Sequence, residues 1–167
     1  MSMIWMSHAT PIGAMILAGG PAGLAGAWLV GQAHFDGVQP DWREDATASL
    51  LCDAAAQLDE WFAGRRRDFD LPLAPRGTDF QKAVWHEIAR VPFGATRNYG
   101  SVAQALGKPS AARAVGAATG RNPLTIIVPC HRLVGCGGAL TGYAGGLPRK
   151  QALLAFEAEG TPCAMAA

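Results

Sequence analysis

A chain of 167 residues, half of them hydrophobic, can bury one ordinary core or two small ones packed together, which excludes global disorder. A formal net charge of +1 is lower than a strong nonspecific nucleic-acid binder normally carries, so any contact with DNA has to be local or transient. Cys52, Cys130, Cys136 and Cys163 show neither C-x-x-C nor paired-histidine spacing, so no structural zinc, disulfide framework or other cofactor is expected.

Residues 9–35 carry no charged side chain, and Met15-Ile16-Leu17-Ala18 and Ala27-Trp28-Leu29-Val30 are apolar. The run competes as a membrane or export segment, but Pro11, Pro21 and the centre Gly19-Gly20-Pro21-Ala22-Gly23 are turn chemistry between two short apolar stretches. No basic stretch precedes it. The pattern predicts a β-hairpin or small sheet in a soluble, cytoplasmic protein. From Ala46 to Phe62, Leu50, Leu51, Ala54, Ala55, Leu58, Trp61 and Phe62 recur at spacings of three and four, which predicts an amphipathic helix ended by Gly64. Arg65-Arg66-Arg67 reads as a solvated face where cations suit a helix C-terminus, with a phosphate contact as the alternative. Leu71-Pro72-Leu73-Ala74-Pro75-Arg76-Gly77 has no regular period and reads as a linker, so units of 1–75 and 76–167 are expected.

Thr78 offers an N-cap with Gln81 as its capping-box partner, and Phe80, Val84 and Ile88 line one face of the helix that follows. Val91-Pro92 ends it. A short helix is predicted over 100–107, with Val102, Ala103 and Leu106 apolar. Gly107-Lys108-Pro109 turns the chain, and Ser110 caps a second helix running to about Thr119. Two short helices joined by such a turn are the helix-turn-helix pattern. The second helix carries Arg113 as its one charge and almost no side-chain bulk. It can read little base sequence, and suits either the narrow minor groove or tight helix packing.

The strongest local signal is Pro129-Cys130-His131-Arg132. It follows Ile126-Ile127-Val128, which predicts a short buried strand delivering Cys130 to a fixed point. Cysteine is a potent nucleophile once ionised, and the neighbouring His131 and Arg132 favour the thiolate. Adjacent residues of an extended segment point to opposite sides, so adjacency in sequence does not by itself bring Cys130 and His131 into contact. Pro148 starts a last helix that Gly160 stops, and Glu157 on it is a candidate to orient a base.

The string from Arg121 to Arg132 (Arg-Asn-Pro-Leu-Thr-Ile-Ile-Val-Pro-Cys-His-Arg) resembles the active-site signature of the O6-alkylguanine-DNA alkyltransferases, or methylated-DNA–protein-cysteine methyltransferases. The likeness continues through Leu140–Leu147 and Leu153–Glu157. It is strong over roughly residues 76–160 and weak before them. The resemblance implies an α+β fold, with a small N-terminal ribonuclease H-like α/β domain and a winged-helix-like C-terminal domain carrying the helix-turn-helix. It implies a monomer that repairs DNA by irreversible, single-turnover transfer of an alkyl group from O6-alkylguanine, or from O4-alkylthymine, to Cys130. His131 would be the base, acting through water, and Glu157 its orienter. Tyr99 would rotate the nucleotide and hydrogen-bond the guanine, and Asn122 would brace the active-site turn. The small-residue helix, with Ala112, Arg113 and Ala114, would enter the minor groove, Arg113 filling the space of the extruded base. Tyr143, Ala144 and Gly145 would form the pocket wall, and backbone carbonyls of Cys130 and Leu133 would receive the guanine amino group. Arg132 and Lys150 are expected at phosphates or in structural pairs. Non-catalytic relatives of the alkyltransferases, or a plain helix-turn-helix module, are the alternative, against which the retained Cys130 stands.

Overall fold

The structure, a computed structural model, describes residues 2–163. Strands β1 (Ile4–Thr10), β2 (Gly13–Gly20) and β3 (Gly23–Leu29) form an antiparallel meander, and β4 (Arg43–Glu44) adds parallel to β1, giving the order β3-β2-β1-β4. Met15, Ile16, Leu17 and Ala18 are all buried, because β2 is an inner strand covered on both faces, and a continuous apolar run is what such a strand needs. The predicted glycine-proline centre is the β2–β3 turn.

Helix α1 (Ser49–Phe62) packs on this sheet through Leu51, Ala54, Leu58 and Trp61. It begins later than the predicted Ala46. The Asp45 carboxylate accepts from the Thr47 amide (3.1 Å) and hydroxyl (2.8 Å), a local turn that competes with helix at those residues. Leu50 and Phe62, at the stripe's edges, are half-buried. Within the basic run, Arg66 pairs with Glu60 at 3.2 Å and Arg67 lies over the Phe93 ring at 5.1 Å. The linker-like segment is docked along β3: the Leu24 amide donates to the Pro72 carbonyl (2.7 Å), and the Ala74 amide to the Leu24 carbonyl (2.8 Å).

Helix α2 (Asp79–Ala89) carries the expected capping box, Thr78 and Gln81 each closing the other's orphan amide. Helix α3 (Tyr99–Ala105) is capped by Asn98, whose Oδ1 accepts from the Ser101 amide at 2.7 Å. Helix α4 (Ala112–Gly120) packs against α2 and α3, and α3–turn–α4 is the helix-turn-helix. Ser110 does not cap α4. The chain is still turning there, with the Ala111 amide donating to the Lys108 carbonyl at 2.9 Å, and Ala111 stands at the N-cap without a side-chain bond. Strands β5 (Arg97–Asn98) and β6 (Leu133–Val134) pair in parallel, tying the start of α3 to the segment just after Cys130. Helix α5 (Leu147–Glu159) closes the chain with Gly160 in the left-handed region (φ 66°).

One core runs through both halves. The Trp61 ring, from α1, meets Phe93 edge-on at 6.0 Å and Phe156 of α5 at 5.0 Å. Backbone bonds cross as well: the Ala27 amide donates to the Pro123 carbonyl (2.7 Å), and the Thr125 amide to the Ala27 carbonyl (2.9 Å). No described helix is long and apolar enough to cross a membrane.

Gly23 makes the docking of 71–77 testable. Its φ is 136°, and a Cβ there would fall 2.5 Å from the Pro72 carbonyl oxygen. Gly23→Ala should cost about 1–3 kcal/mol from backbone strain alone. The check is a lower urea midpoint with an unchanged slope; an unchanged midpoint would show that the segment yields freely.

Candidate active site

The segment that carries Cys130 is a tight buried loop, where the sequence predicts a strand. Leu124, Thr125 and Val128 make only isolated bridges, and Ile126 adopts φ 73°. A β-branched residue in the left-handed region is strained. Asn122 supplies the compensation. Its Oδ1 accepts from the Leu124 amide (2.9 Å), and its Nδ2 donates to the Val128 carbonyl (2.8 Å), bracketing the loop from inside. Burial is as expected, since Ile126, Ile127 and Val128 are all core. The geometry differs because the loop bonds to one of its own side chains and, through Ala27, to β3. Cys130–Arg132 then forms a single 3₁₀ turn, not an extended segment.

This turn splits its three side chains between two environments. Cys130 lines a cleft of about 570 Å³. His131 and Arg132 turn inward to α5. Fully buried, His131 points its Nε2 at the Glu157 carboxylate (3.0 Å). A carboxylate only accepts, so Nε2 carries the hydrogen and Nδ1 is left with its lone pair. Nδ1 has no partner among the described residues. Arg132 is 4% exposed; its Nε and Nη2 donate to Glu157 (2.8 and 2.6 Å) and its Nη1 to the Val91 carbonyl (2.6 Å). The expectation that Arg132 contacts a DNA phosphate is therefore corrected: its guanidinium is inside the protein and engaged.

Burial sets the protonation states. Desolvation pushes the Cys130 thiol up, against the opposing pull of the Asn122 amide, the Lys150 ammonium and the Tyr143 hydroxyl. Desolvation also lowers His131, outweighing the attraction of Glu157. For Glu157 burial works upward, but hydrogen bonds from His131 and Arg132 and their charges outweigh it and hold the carboxyl below its usual value. The resting site thus has a neutral thiol at the cleft and, on the inner side of the same turn, a neutral imidazole bonded to an ionised Glu157–Arg132 pair. Burial, reinforced by Cys130, raises the Tyr143 phenol well above its usual value and keeps it neutral, and its hydroxyl has no hydrogen-bond partner among the described residues.

The cleft lies between the helix-turn-helix and the loop after β6. Tyr99, Ala112, Arg113 and Gly116 form one wall; Thr141, Tyr143 and Ala144 form the other. Arg113 and Ala114 are exposed on α4, Ala114 outside the cleft. Three expected pocket residues do not line it. Leu133 is fully buried and paired to Arg97 in β6. Gly145 lies behind the wall, where a Cβ would come within 2.8 Å of the Tyr143 ring and 3.0 Å of Leu29. Lys150 is likewise buried behind the wall, its Nζ donating to the Gly142 carbonyl at 2.9 Å, which also rules it out as a phosphate contact. Its charge still acts on Cys130. Sequence reasoning missed Asn98 and Cys136, and above all Ala33 and His34, which reach the cleft from the N-terminal half. A lone histidine in an irregular segment carries no signal that would have found it.

A buried thiol at the floor of a cleft walled by a helix-turn-helix defines a DNA-directed cysteine chemistry. Comparison with known proteins agrees. Residues 79–159 match the 6-O-methylguanine DNA methyltransferase DNA binding domain, and residues 3–75 match its ribonuclease-like domain. A methylated-DNA–protein-cysteine methyltransferase of Mycolicibacterium paratuberculosis is 44% identical over 93% of both chains. One of Methanosarcina barkeri is 47% identical over 89% of this chain and 92% of its own. The crystal structure of Mycobacterium tuberculosis OGT in complex with DNA superposes with a TM-score of 0.89 at 43% identity, covering 96% of each chain. The chain belongs to the 6-O-methylguanine DNA methyltransferase family.

Glu157→Gln strips Arg132 of its charge partner in a buried site, a change that typically costs about 3–5 kcal/mol; chemical denaturation measures it. Acid should act in the same direction in the parent chain. The folded state lowers His131 from 6.5, so its contribution is complete above that value and falls away as pH drops below it. The folded state also holds Glu157 below 4.5, a contribution lost only as pH falls through the still lower folded value. Stability should therefore decline first from about pH 6.5 downward and again in stronger acid. A midpoint that is flat across the first window would contradict the neutral, buried state of His131.

Proposed function

We propose that Cys130 is the acceptor in the reaction of this family, direct repair of DNA by transfer of an alkyl group from O6 of guanine to a protein cysteine. The observation that carries the reading is a buried thiol lining the cleft on the same 3₁₀ turn as an imidazole whose Nε2 is held by Glu157 and whose Nδ1 lone pair is left over. His131 Nδ1 takes the Cys130 proton through a water molecule. The thiolate attacks the alkyl carbon in line; the S–C bond forms, the C–O6 bond breaks, and guanine leaves with its electron pair. Tyr99 donates to the departing base, and the Cys130 carbonyl and Ala144 amide hold its edge. The product thioether has no good leaving group, so the chain acts once.

The other cysteines fit the role less well. Burial, with the charge of Glu157, pushes Cys163 up to about 11. Cys52 is on the surface, donating to the Ala46 carbonyl. Cys136 is exposed on the cleft rim with no base beside it.

DNA enters this reading through α4. Its exposed face presents Arg113, Ala114 and Ala117, small enough for a minor groove, with one guanidinium to occupy the space of an extruded nucleotide. The chain would act as a monomer on alkylated guanine, in a reducing cytoplasm, with units 1–75 and 76–167 as its two domains.

Incubation with a duplex bearing one O6-methylguanine should add one methyl per chain, mapped by peptide mass to Cys130; methyl on Cys52, Cys136 or Cys163 would overturn the assignment. His131→Ala should slow transfer about 100- to 10,000-fold, with part of the loss regained as pH rises and solvent supplies the thiolate. A rate that stays at the parent level would remove His131 from the reaction. Arg113→Ala should slow reaction with the duplex far more than reaction with free O6-benzylguanine, because the free base skips extrusion. Equal slowing of both would give Arg113 a structural role instead.

A further inference from the structure

The N-terminal half reaches the cleft at one place, and three observations concern how it is held there. The Ala33 amide donates to the Ala144 carbonyl at 2.9 Å, so residues 31–34 grip the wall that faces Cys130. On the inner side, buried Gln32 accepts through its Oε1 from the Leu29 amide (2.7 Å) and from the Thr125 hydroxyl (3.0 Å), joining the end of β3 to the loop that delivers Cys130. On the outer side an aromatic stack fixes the next residue. The Phe35 ring lies 4.6 Å from that of Trp28 with an interplanar angle of 4°, and Trp42 stacks on Trp28 at 5.8 Å. Trp28 itself lies flat over Gly26, where any Cβ would fall within 1.8 Å of the indole. Between these anchors His34 is held at φ 62°, an uncommon conformation for a residue with a side chain, and it lines the cleft. A strained residue is kept only where its surroundings over-determine it, and here those surroundings are the wall of the reaction site.

We propose that the Gly31–His34 loop is the specificity element that sets the size of alkyl group Cys130 accepts. The inference rests on Cys130 being the acceptor. The alkyl carbon has to sit against the Cys130 sulfur, and the Tyr143–Ala144 wall stands on the side of the cleft opposite α4. The Ala33 N–H fixes the Ala144 peptide, and the wall cannot retreat from a bulky group without breaking that bond and displacing His34. Among the described residues no hydrogen bond joins Ala33 or His34 to Glu157, His131 or Arg132, so the effect of these two positions should fall on which substrates fit. A close-fitting apolar site discriminates by about tenfold or more for each small group that it excludes.

The test compares second-order transfer rates for duplexes carrying O6-methylguanine or O6-benzylguanine, using the parent chain, Ala33→Pro, His34→Ala and Phe35→Ala. Proline removes the bracing N–H, His34→Ala removes the imidazole, and Phe35→Ala frees the outer anchor. The benzyl-to-methyl rate ratio should rise about tenfold or more in Ala33→Pro and His34→Ala, and in the same direction in Phe35→Ala, where the methyl rate should stay close to that of the parent because Phe35 lies outside the cleft lining. His34 is exposed, so its variant keeps the experiment informative if Ala33→Pro folds poorly. A ratio within about twofold of the parent in folded His34→Ala and Phe35→Ala overturns the proposal, as that is well short of one excluded group. If His34→Ala slows both duplexes equally and spares free O6-benzylguanine, His34 is a DNA contact and the proposal is also overturned. Absence of methyl on Cys130 in the parent chain would instead overturn the acceptor assignment, and this inference with it.

Discussion

A single buried carboxylate organises the reactive end of this molecule. Glu157 accepts from His131 and from Arg132, and Arg132 extends the contact to the Val91 carbonyl, so one group ties α5, the 3₁₀ turn and the end of α2. Such a group is costly to bury alone, and Arg132 is what makes it tolerable. That neutralisation has a chemical consequence. With its charge already matched, Glu157 orients the imidazole more than it charges it, which is why burial still lowers His131. In the proposed reaction, moving a proton from Cys130 to His131 would create an ion pair inside a poorly solvated site, where the attraction of opposite charges is strong. Lys150, whose charge also acts on Cys130, favours the thiolate side of that pair.

The second constraint is the loop that holds Cys130 in place. Ile126 sits in a backbone conformation that a β-branched residue avoids, and the Asn122 side chain closes hydrogen bonds that a strand partner would otherwise supply. The bonds from β3 to Pro123 and Thr125 complete the bracing. A thiol meant to meet an alkyl carbon in line gains from such rigidity, because small errors of placement carry a large cost in rate.

These features differ in how far the amino-acid sequence revealed them. Local chemistry was legible: the Thr78–Gln81 box, the turn at Gly107, the α1 stripe and the apolar inner strand each follow from residues within a few positions. The Pro-Cys-His-Arg signature likewise singled out a buried 3₁₀ turn whose His131 and Arg132 both bond Glu157 of α5. What stayed hidden was decided by distant contacts. Ile126-Ile127-Val128 has the composition of a strand, and only the Asn122 bracket and β3 make it a loop. Arg132 and Lys150 read equally as phosphate contacts or structural pairs, and only the fold decides between them, Glu157 drawing one inward and the Gly142 carbonyl the other. Ala33 and His34 carry no pattern at all; the sheet and its aromatic stack bring them to the cleft.

The protonation state at rest suits a nucleophile that is used once. An exposed thiolate would react with any passing electrophile, and each such event would spend a chain. Cys130 is 5% exposed, and burial keeps it protonated. His131, the base in the proposed reaction, is equally buried and uncharged, so on that proposal neither partner is activated until a nucleobase occupying the cleft displaces solvent and presents an alkyl carbon. Removing water strengthens every charge interaction in the site at once, including those of Lys150 and His131 with the forming thiolate. In the proposed mechanism, selectivity for the substrate comes from the coupling of filling to ionisation, and the wall that Ala33 braces would bear on both by limiting which groups fill the cleft closely enough to exclude water.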